Sequence, residues 1–186
     1  MRIVAGTHRG RRISAPAGRA TRPTSDRVRE AIFSMVGPVE GLDVLDVFAG
    51  SGALGLEALS RGAASATFIE RAPGAVARIR ANLEALDLAD RARVLPRDWR
   101  AGLAGERAAG RRYGLCLLDP PYSVTPRIAG GLAAALAPLM APAGTVVIEH
   151  SAASPPLQPT GLEIDSRIDR AYGDTAVTVL RLAAAP

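Results

Sequence analysis

The chain has 186 residues, which suits one domain or one domain with a short extension. Hydrophobic residues make up 48% and charged residues 22%, an ordinary globular balance, and the single cysteine, Cys116, excludes an intrachain disulfide, a cysteine-rich zinc site and an iron–sulfur cluster. All 23 basic residues are arginine, which excludes a P-loop lysine and a Schiff-base lysine and favours planar, bidentate contacts to phosphate and guanine edges.

The charge is uneven. Residues 1–30 carry eight arginines against Asp26 and Glu30, a net of +6, while the rest of the chain is at −1. Such a basic segment usually meets a polyanion, the plainer alternative being a solvated terminus. Met1–Gly6 lacks the apolar core of a signal peptide, and with one cysteine the expected location is cytoplasmic. Ile128–Ile148 is uncharged and, at about 20 residues, long enough to span a bilayer. Gly130, Gly131, Pro138, Pro142 and Gly144 interrupt it, so a buried helix followed by a buried strand fits better, and no membrane association is expected.

In chain order, Ile3-Val4 and Ile13 flank a polar turn, as in a short basic hairpin. Pro16, Gly18 and Pro23 read as loop. A helix is predicted to start near Thr24-Ser25-Asp26, all good N-caps, with Val28, Ile32, Met35 and Val36 at helical spacing and a stop at Gly37-Pro38. Strand and helix then alternate. Strands are predicted at 44–48, 66–70, 93–95, 115–118 and 145–149, and helices at 54–61, through Val76, Ile79, Leu83 and Leu86, and over 126–139. Two last strands, 162–168 and 175–182, flank Ala171-Tyr172-Gly173-Asp174 and read as a hairpin. The expected fold is α/β: a doubly wound, mostly parallel seven-stranded sheet closed by an antiparallel C-terminal hairpin. Residues 1–23 are expected to form a basic extension and 24–186 a single domain.

Two segments carry chemistry. In Asp46-Val47-Phe48-Ala49-Gly50-Ser51-Gly52-Ala53-Leu54-Gly55, three glycines match G-x-G-x-x-G between a strand and a helix, and Glu70 ends the next strand, placed to bind ribose hydroxyls. A dinucleotide would put its pyrophosphate beside Asp46, where a carboxylate repels it. The ammonium and sulfonium of S-adenosylmethionine would be attracted there instead. Asp98-Trp99, after the third strand, is placed to accept the adenine amino group and flank its ring. Asp119-Pro120-Pro121-Tyr122 follows the fourth strand, where open α/β sheets bind ligands. An exocyclic amino group on guanine or adenine is a poor nucleophile because its lone pair is delocalised into the ring. The Asp119 side chain and the Pro120 carbonyl can accept its two N–H bonds and localise that pair. The prolines fix the loop, and Tyr122 can stack on the base. Cys116 reads as core, and His8 and His150 are isolated, so no metal site is expected.

These residues resemble the bacterial RsmD family of 16S rRNA guanine-N2 methyltransferases nearly end to end. The resemblance rests on Arg2–Gly6 with Gly10-Arg11-Arg12, Arg22–Glu30, Leu45–Ala58, Asp119–Tyr122 and Tyr172–Thr175; Arg22–Glu30 is the most specific part. It implies a class I methyltransferase fold, S-adenosylmethionine as cofactor, and methylation of guanine 966 (nucleotide number) of 16S rRNA in the small ribosomal subunit. The catalytic residues are then Asp119, Pro120, Pro121 and Tyr122. The cofactor is held by Asp46, Phe48, Ala49, Gly50, Ser51, Gly52, Glu70, Arg71, Asp98 and Trp99. RNA is met by Arg9, Arg11, Arg12, Arg22, Arg27 and Arg29. One departure is visible: Arg71-Ala72-Pro73 follows Glu70 where such proteins commonly carry another acid or amide. A monomer is expected. The competing readings are an adenine-N6 methyltransferase, a non-catalytic ribosome-assembly factor and a nicotinamide-dependent oxidoreductase.

Overall fold

The computed structural model describes residues 1–14, 25–121, 125–154 and 161–184, with backbone alone over 125–130. Tyr122 and Arg22 lie outside the described residues, as does the loop predicted at Pro16–Pro23.

The near-continuous apolar runs become strands buried on both faces. These are β1 (Asp43–Val47), β2 (Ser65–Ile69), β3 (Ala92–Leu95), β4 (Tyr113–Leu118) and β5 (Met140–Ser151), followed by β6 (Ile164–Tyr172) and β7 (Thr175–Leu182). They form one seven-stranded sheet in the order β3-β2-β1-β4-β5-β7-β6. The first five are parallel, and β7 lies antiparallel between β5 and β6. Gly173 makes the turn between β6 and β7 at φ 64.

Helices α1 (Asp26–Val36), α2 (Ala53–Ser60) and α3 (Pro73–Ala85) share one face of the sheet. There Phe33, Leu59 and Ile79 join a core with Val44, Leu117, Val147 and Val179. Helices α4 (Trp99–Ala108) and α5 (Thr125–Leu136) take the other, where Leu103, Leu132 and Leu136 meet Leu45, Val47, Cys116 and Ile148. Each such side chain, fully buried, contributes about 1.5–3 kcal/mol of transfer free energy. The uncharged stretch 128–148 is thus a helix, a short 3-10 turn at Ala137–Leu139 and a strand. Among the described residues no helix is long and apolar enough to cross a membrane.

Three elements differ from their sequence expectation. Helix α4 has no counterpart in the predicted set; Asp98 caps it, its Oδ1 accepting from Arg100 N at 2.8 Å and Ala101 N at 3.2 Å. Strand β5 begins at Met140, five residues before the predicted start, and absorbs Pro142 and Gly144 in a register break opposite Tyr113–Leu115, with Ala143 at φ 55. The basic extension is also tied to the domain over residues 1–14. Its ends pair as a hairpin, Arg2 opposite Arg12, and bury Ile3 and Ile13. Val4 N and Ala5 N donate to the two oxygens of Glu57 at 2.8 and 2.9 Å, and His8 N donates to Ser60 Oγ at 3.0 Å. Ser14 and Asn82 exchange two hydrogen bonds. Gly6 is forced at this contact: a Cβ there would stand 1.8 Å from the Ser60 carbonyl oxygen.

Candidate functional site at the carboxyl edge of the sheet

The strand order reverses between β1 and β4, and the loops leaving their carboxyl ends lie at the switch point where open α/β sheets bind ligands. The first is the glycine turn. Phe48, at φ 65, occupies a left-handed conformation that costs a bulky residue on the order of 1 kcal/mol or more. The strain is held by two hydrogen bonds, from Phe48 N and Ala49 N to Ile69 O at 3.1 and 3.2 Å. Gly50 (φ 55) and Gly52 (φ 79) complete the turn, and Gly52 caps α2. Ser51 is buried and its carbonyl accepts from Asn82 Nδ2 at 3.2 Å.

Two acids brace this turn. Asp46 is 1% exposed, and its Oδ2 accepts from Gly55 N at 2.9 Å. The contact needs a glycine, because a Cβ at Gly55 would lie 2.4 Å from the Phe68 ring. Glu70 links two loops: Oε2 accepts from Gly50 N at 2.9 Å and Oε1 from Ala72 N at 2.8 Å. The segment Arg71-Ala72-Pro73 therefore engages Glu70 through a backbone N–H, while the Arg71 side chain is exposed.

Burial pushes the Asp46 carboxyl up to about 7. Unfolding returns it to 3.8, so the folded chain holds an extra proton between these values. By linkage the Asp46 contribution to stability falls as pH rises through that window, by on the order of 4 kcal/mol. Asp46→Asn removes the titration. Denaturant unfolding at pH 4 and pH 7 is expected to show the variant gaining on the parent as pH rises. A pH-independent difference would sink this account.

The adenosine-side residues are placed differently. Asp98 is exposed and caps α4. Trp99 is 8% exposed, belongs to the α4–α5 core and has the Arg100 guanidinium 4.3 Å from its ring centroid. It also walls a cavity of about 530 Å³ between α4 and α5, with Leu103, Arg107, Gly131 and Ala135.

The second loop starts at Asp119, half-buried, whose N–H points to Val47 O at 3.5 Å and so keeps it beside β1. Pro120 is buried and Pro121 exposed. Of the arginines expected to meet RNA, Arg9, Arg12 and Arg27 are exposed. Arg11 is exposed too, with one nitrogen donating to Ala85 O at 2.8 Å. Arg29 corrects the expectation. It is fully buried, pairs with Asp26 at 2.7 Å and Glu57 at 3.5 Å, and donates to the Arg2 carbonyl, so its guanidinium has no surface to offer a phosphate. Glu57, Ser60 and Asn82, which hold the hairpin, were not singled out from the sequence. The available signal was a glutamate inside the apolar stretch 53–60. Among the described residues no group of three metal-ligating side chains forms.

The model of the family described as conserved hypothetical protein 95 matches residues 1–181. The chain is 45% identical over 125 residues to YlbH of Bacillus subtilis strain 168, covering 66% of this chain and 67% of that protein. It is 43% identical over 123 residues to the ribosomal RNA small subunit methyltransferase D of Escherichia coli K12, covering 66% and 60%. The matched stretch thus spans about three fifths to two thirds of these relatives' own length. Among solved structures, yhhF from Escherichia coli superposes with a TM-score of 0.81 at 31% identity, over 100% of this chain and 99% of that one. SMU.776, crystallised with SAH, shares the fold at a TM-score of 0.71 and 16% identity, over 88% of this chain and 50% of its own. The sheet order, the glycine turn and the Asp-Pro-Pro loop make this the class I methyltransferase fold. With a match running over nearly its whole length, the chain belongs to the family of conserved hypothetical protein 95, the RsmD family.

Proposed function

We propose that this protein is an S-adenosylmethionine-dependent methyltransferase acting on the exocyclic N2 amino group of a guanine in 16S rRNA, guanine 966 by nucleotide number, within the small ribosomal subunit. One observation carries the reading: Asp119-Pro120 stands next to a braced glycine turn at the switch point of the sheet, in a chain whose relatives include the ribosomal RNA small subunit methyltransferase D. The donor set fits the cofactor. A buried carboxylate beneath the turn suits a cation and opposes a pyrophosphate. Gly50, Gly52 and Phe48 let backbone approach the ligand closely, and Glu70 offers its remaining lone pairs to ribose hydroxyls. The cofactor supplies a methyl group on a positively charged sulfur.

The chain's own part is positioning. Asp119 and the Pro120 carbonyl accept the two N–H bonds of the target amino group, which pyramidalises and aims its lone pair. The amino proton leaves afterwards to Asp119 or water. The base is flipped out of the RNA to reach this loop, and Tyr122 stacks on it. Arg9, Arg11, Arg12, Arg22 and Arg27 hold the RNA backbone, and the protein acts as a monomer in the cytoplasm.

The test is transfer from labelled S-adenosylmethionine to undermethylated small subunits, with the product nucleoside identified by mass spectrometry. N2-methylguanosine is expected. N6-methyladenosine would replace guanine by adenine as target, and tight RNA binding without transfer would make the protein an assembly factor. A second measurement addresses the hairpin. Arg9→Ala with Arg12→Ala should weaken RNA binding and reduce the slope of log K against log salt by about 1.5. Arg11 is left in place because it also anchors the hairpin on α3. An unchanged slope means that the hairpin does not touch phosphate.

A further inference from the structure

Asn82 sits on α3, 31 residues beyond Ser51 of the glycine turn, and no step described above uses it. It is buried, so the polar atoms of its amide need partners inside the protein. Those partners come from two directions. Oδ1 accepts from Ser14 N at 2.9 Å and Nδ2 donates to Ser14 O at 3.0 Å, so the amide grips the end of the hairpin by both backbone groups of one residue. Nδ2 also donates to Ser51 O at 3.2 Å. An amide nitrogen has two N–H bonds, and both are thereby used, one on the hairpin and one on the glycine turn.

The group is planar, so its two bonds to Ser14 fix its rotation and with it the direction of the second N–H. That direction is the Ser51 carbonyl. The N-terminal segment reaches Ser51 a second time, since the Ser51 hydroxyl donates to the Met1 thioether sulfur at 3.7 Å. On the other edge of the same peptide, Gly52 N donates to Ala49 O at 2.7 Å. The C=O and N–H of a trans peptide point oppositely, so Asn82 and Ala49 hold the Ser51–Gly52 peptide from both sides. Released at one edge, that peptide can turn, and the backbone no longer keeps a single shape for a ligand.

We infer that Asn82 is a positioning residue of the cofactor site, and that the hairpin belongs to that site through it: Ser14 aims the amide, and the amide holds the Ser51 carbonyl so that the glycine turn keeps the shape that binds S-adenosylmethionine. This rests on the reading above of the glycine turn as the seat of the cofactor. A turn that has to be ordered at the moment of binding costs affinity, and one already held does not. Asn82 acts through Ser51 and needs no contact with the ligand. The segment proposed to grip RNA thus also shapes the site of the methyl donor.

The experiment is calorimetric titration of the full-length protein with S-adenosylhomocysteine, with steady-state transfer from S-adenosylmethionine to undermethylated small subunits. Asn82→Leu is close in volume and removes all three hydrogen bonds. The Kd for S-adenosylhomocysteine is expected to rise about ten-fold and the KM for S-adenosylmethionine with it, while kcat stays within about three-fold. A merely structural role reads differently: partial unfolding lowers the titrated stoichiometry and the apparent kcat, and leaves the Kd and KM of the folded fraction where they were. Gly6→Ala reaches the same turn from the hairpin side, because its Cβ would overlap the Ser60 carbonyl and must push the hairpin off α2. It should weaken S-adenosylhomocysteine binding in the same direction, and it carries the test if Asn82→Leu does not fold. Unchanged affinity in Asn82→Leu overturns the positioning role, and unchanged affinity in Gly6→Ala overturns the part given to the hairpin. Failure of the cofactor reading looks different: the unaltered protein then binds no S-adenosylhomocysteine.

Discussion

Asp119→Ala is expected to slow methyl transfer by about 10²- to 10³-fold while leaving S-adenosylmethionine affinity within a factor of a few. On the proposed mechanism Asp119 accepts an N–H of the target amino group, and that contact strengthens as the nitrogen pyramidalises. Its loss falls on kcat more than on KM. The glycine turn is braced from elsewhere, by Asp46, Glu70 and the Ile69 carbonyl, so the cofactor side should survive the substitution. Single-turnover rates on the small subunit, with calorimetric titration of S-adenosylmethionine, separate the two effects. A variant that transfers at more than a tenth of the parent rate would remove Asp119 from the reaction.

Glu57→Ala is expected to have the largest effect on stability, about 3–5 kcal/mol, or a fall in Tm on the order of 10 °C. Glu57 has no exposed surface and accepts from Val4 N, Ala5 N and Arg61 Nε, all within 2.9 Å, while pairing with Arg29. Truncation leaves the fully buried guanidinium of Arg29 with Asp26 as its remaining acid and strands two backbone donors. Adding Arg29→Met should recover part of the loss, since an apolar side chain needs no partner there. Denaturant unfolding of both single variants and the double variant measures the coupling. A loss below about 1 kcal/mol for Glu57→Ala would mean that the hairpin is not held by this carboxylate.

The sheet was largely legible because its strands are buried on both faces, so Val44–Val47 and Leu115–Leu118 carry the signal in a few consecutive residues. The glycine turn and the Asp-Pro-Pro loop were legible because their residue types are demanded by backbone geometry. Helix α4 was not. Its buried set, Trp99, Gly102, Leu103 and Glu106, includes a glycine and an acid, which blur the apolar period. Gly102 is required by contact, since a Cβ there would stand 2.8 Å from Ile69, and Glu106 is satisfied by a bidentate bond from Arg93 and by the Tyr113 hydroxyl. Both reasons come from partners on other strands. The same holds for Arg29. In sequence it is one more cation of a basic run, and only the meeting of α1, α2 and the hairpin turns it inward.

The hairpin has a consequence for the order of events during synthesis. Its partners lie 52 to 74 residues further along the chain: Glu57, Ser60, Asn82 and the Ala85 carbonyl. At translation rates of about 5–20 residues per second, residues 1–14 wait about 3–15 s before those partners have been made. In that interval Ile3 and Ile13 lack the part of their core that α2 and α3 supply. The arginines between and beside them keep the waiting segment charged, and mutual repulsion hinders association between nascent copies. The charge that is proposed to grip rRNA in the finished protein thus also guards the segment while the rest of the chain is being made.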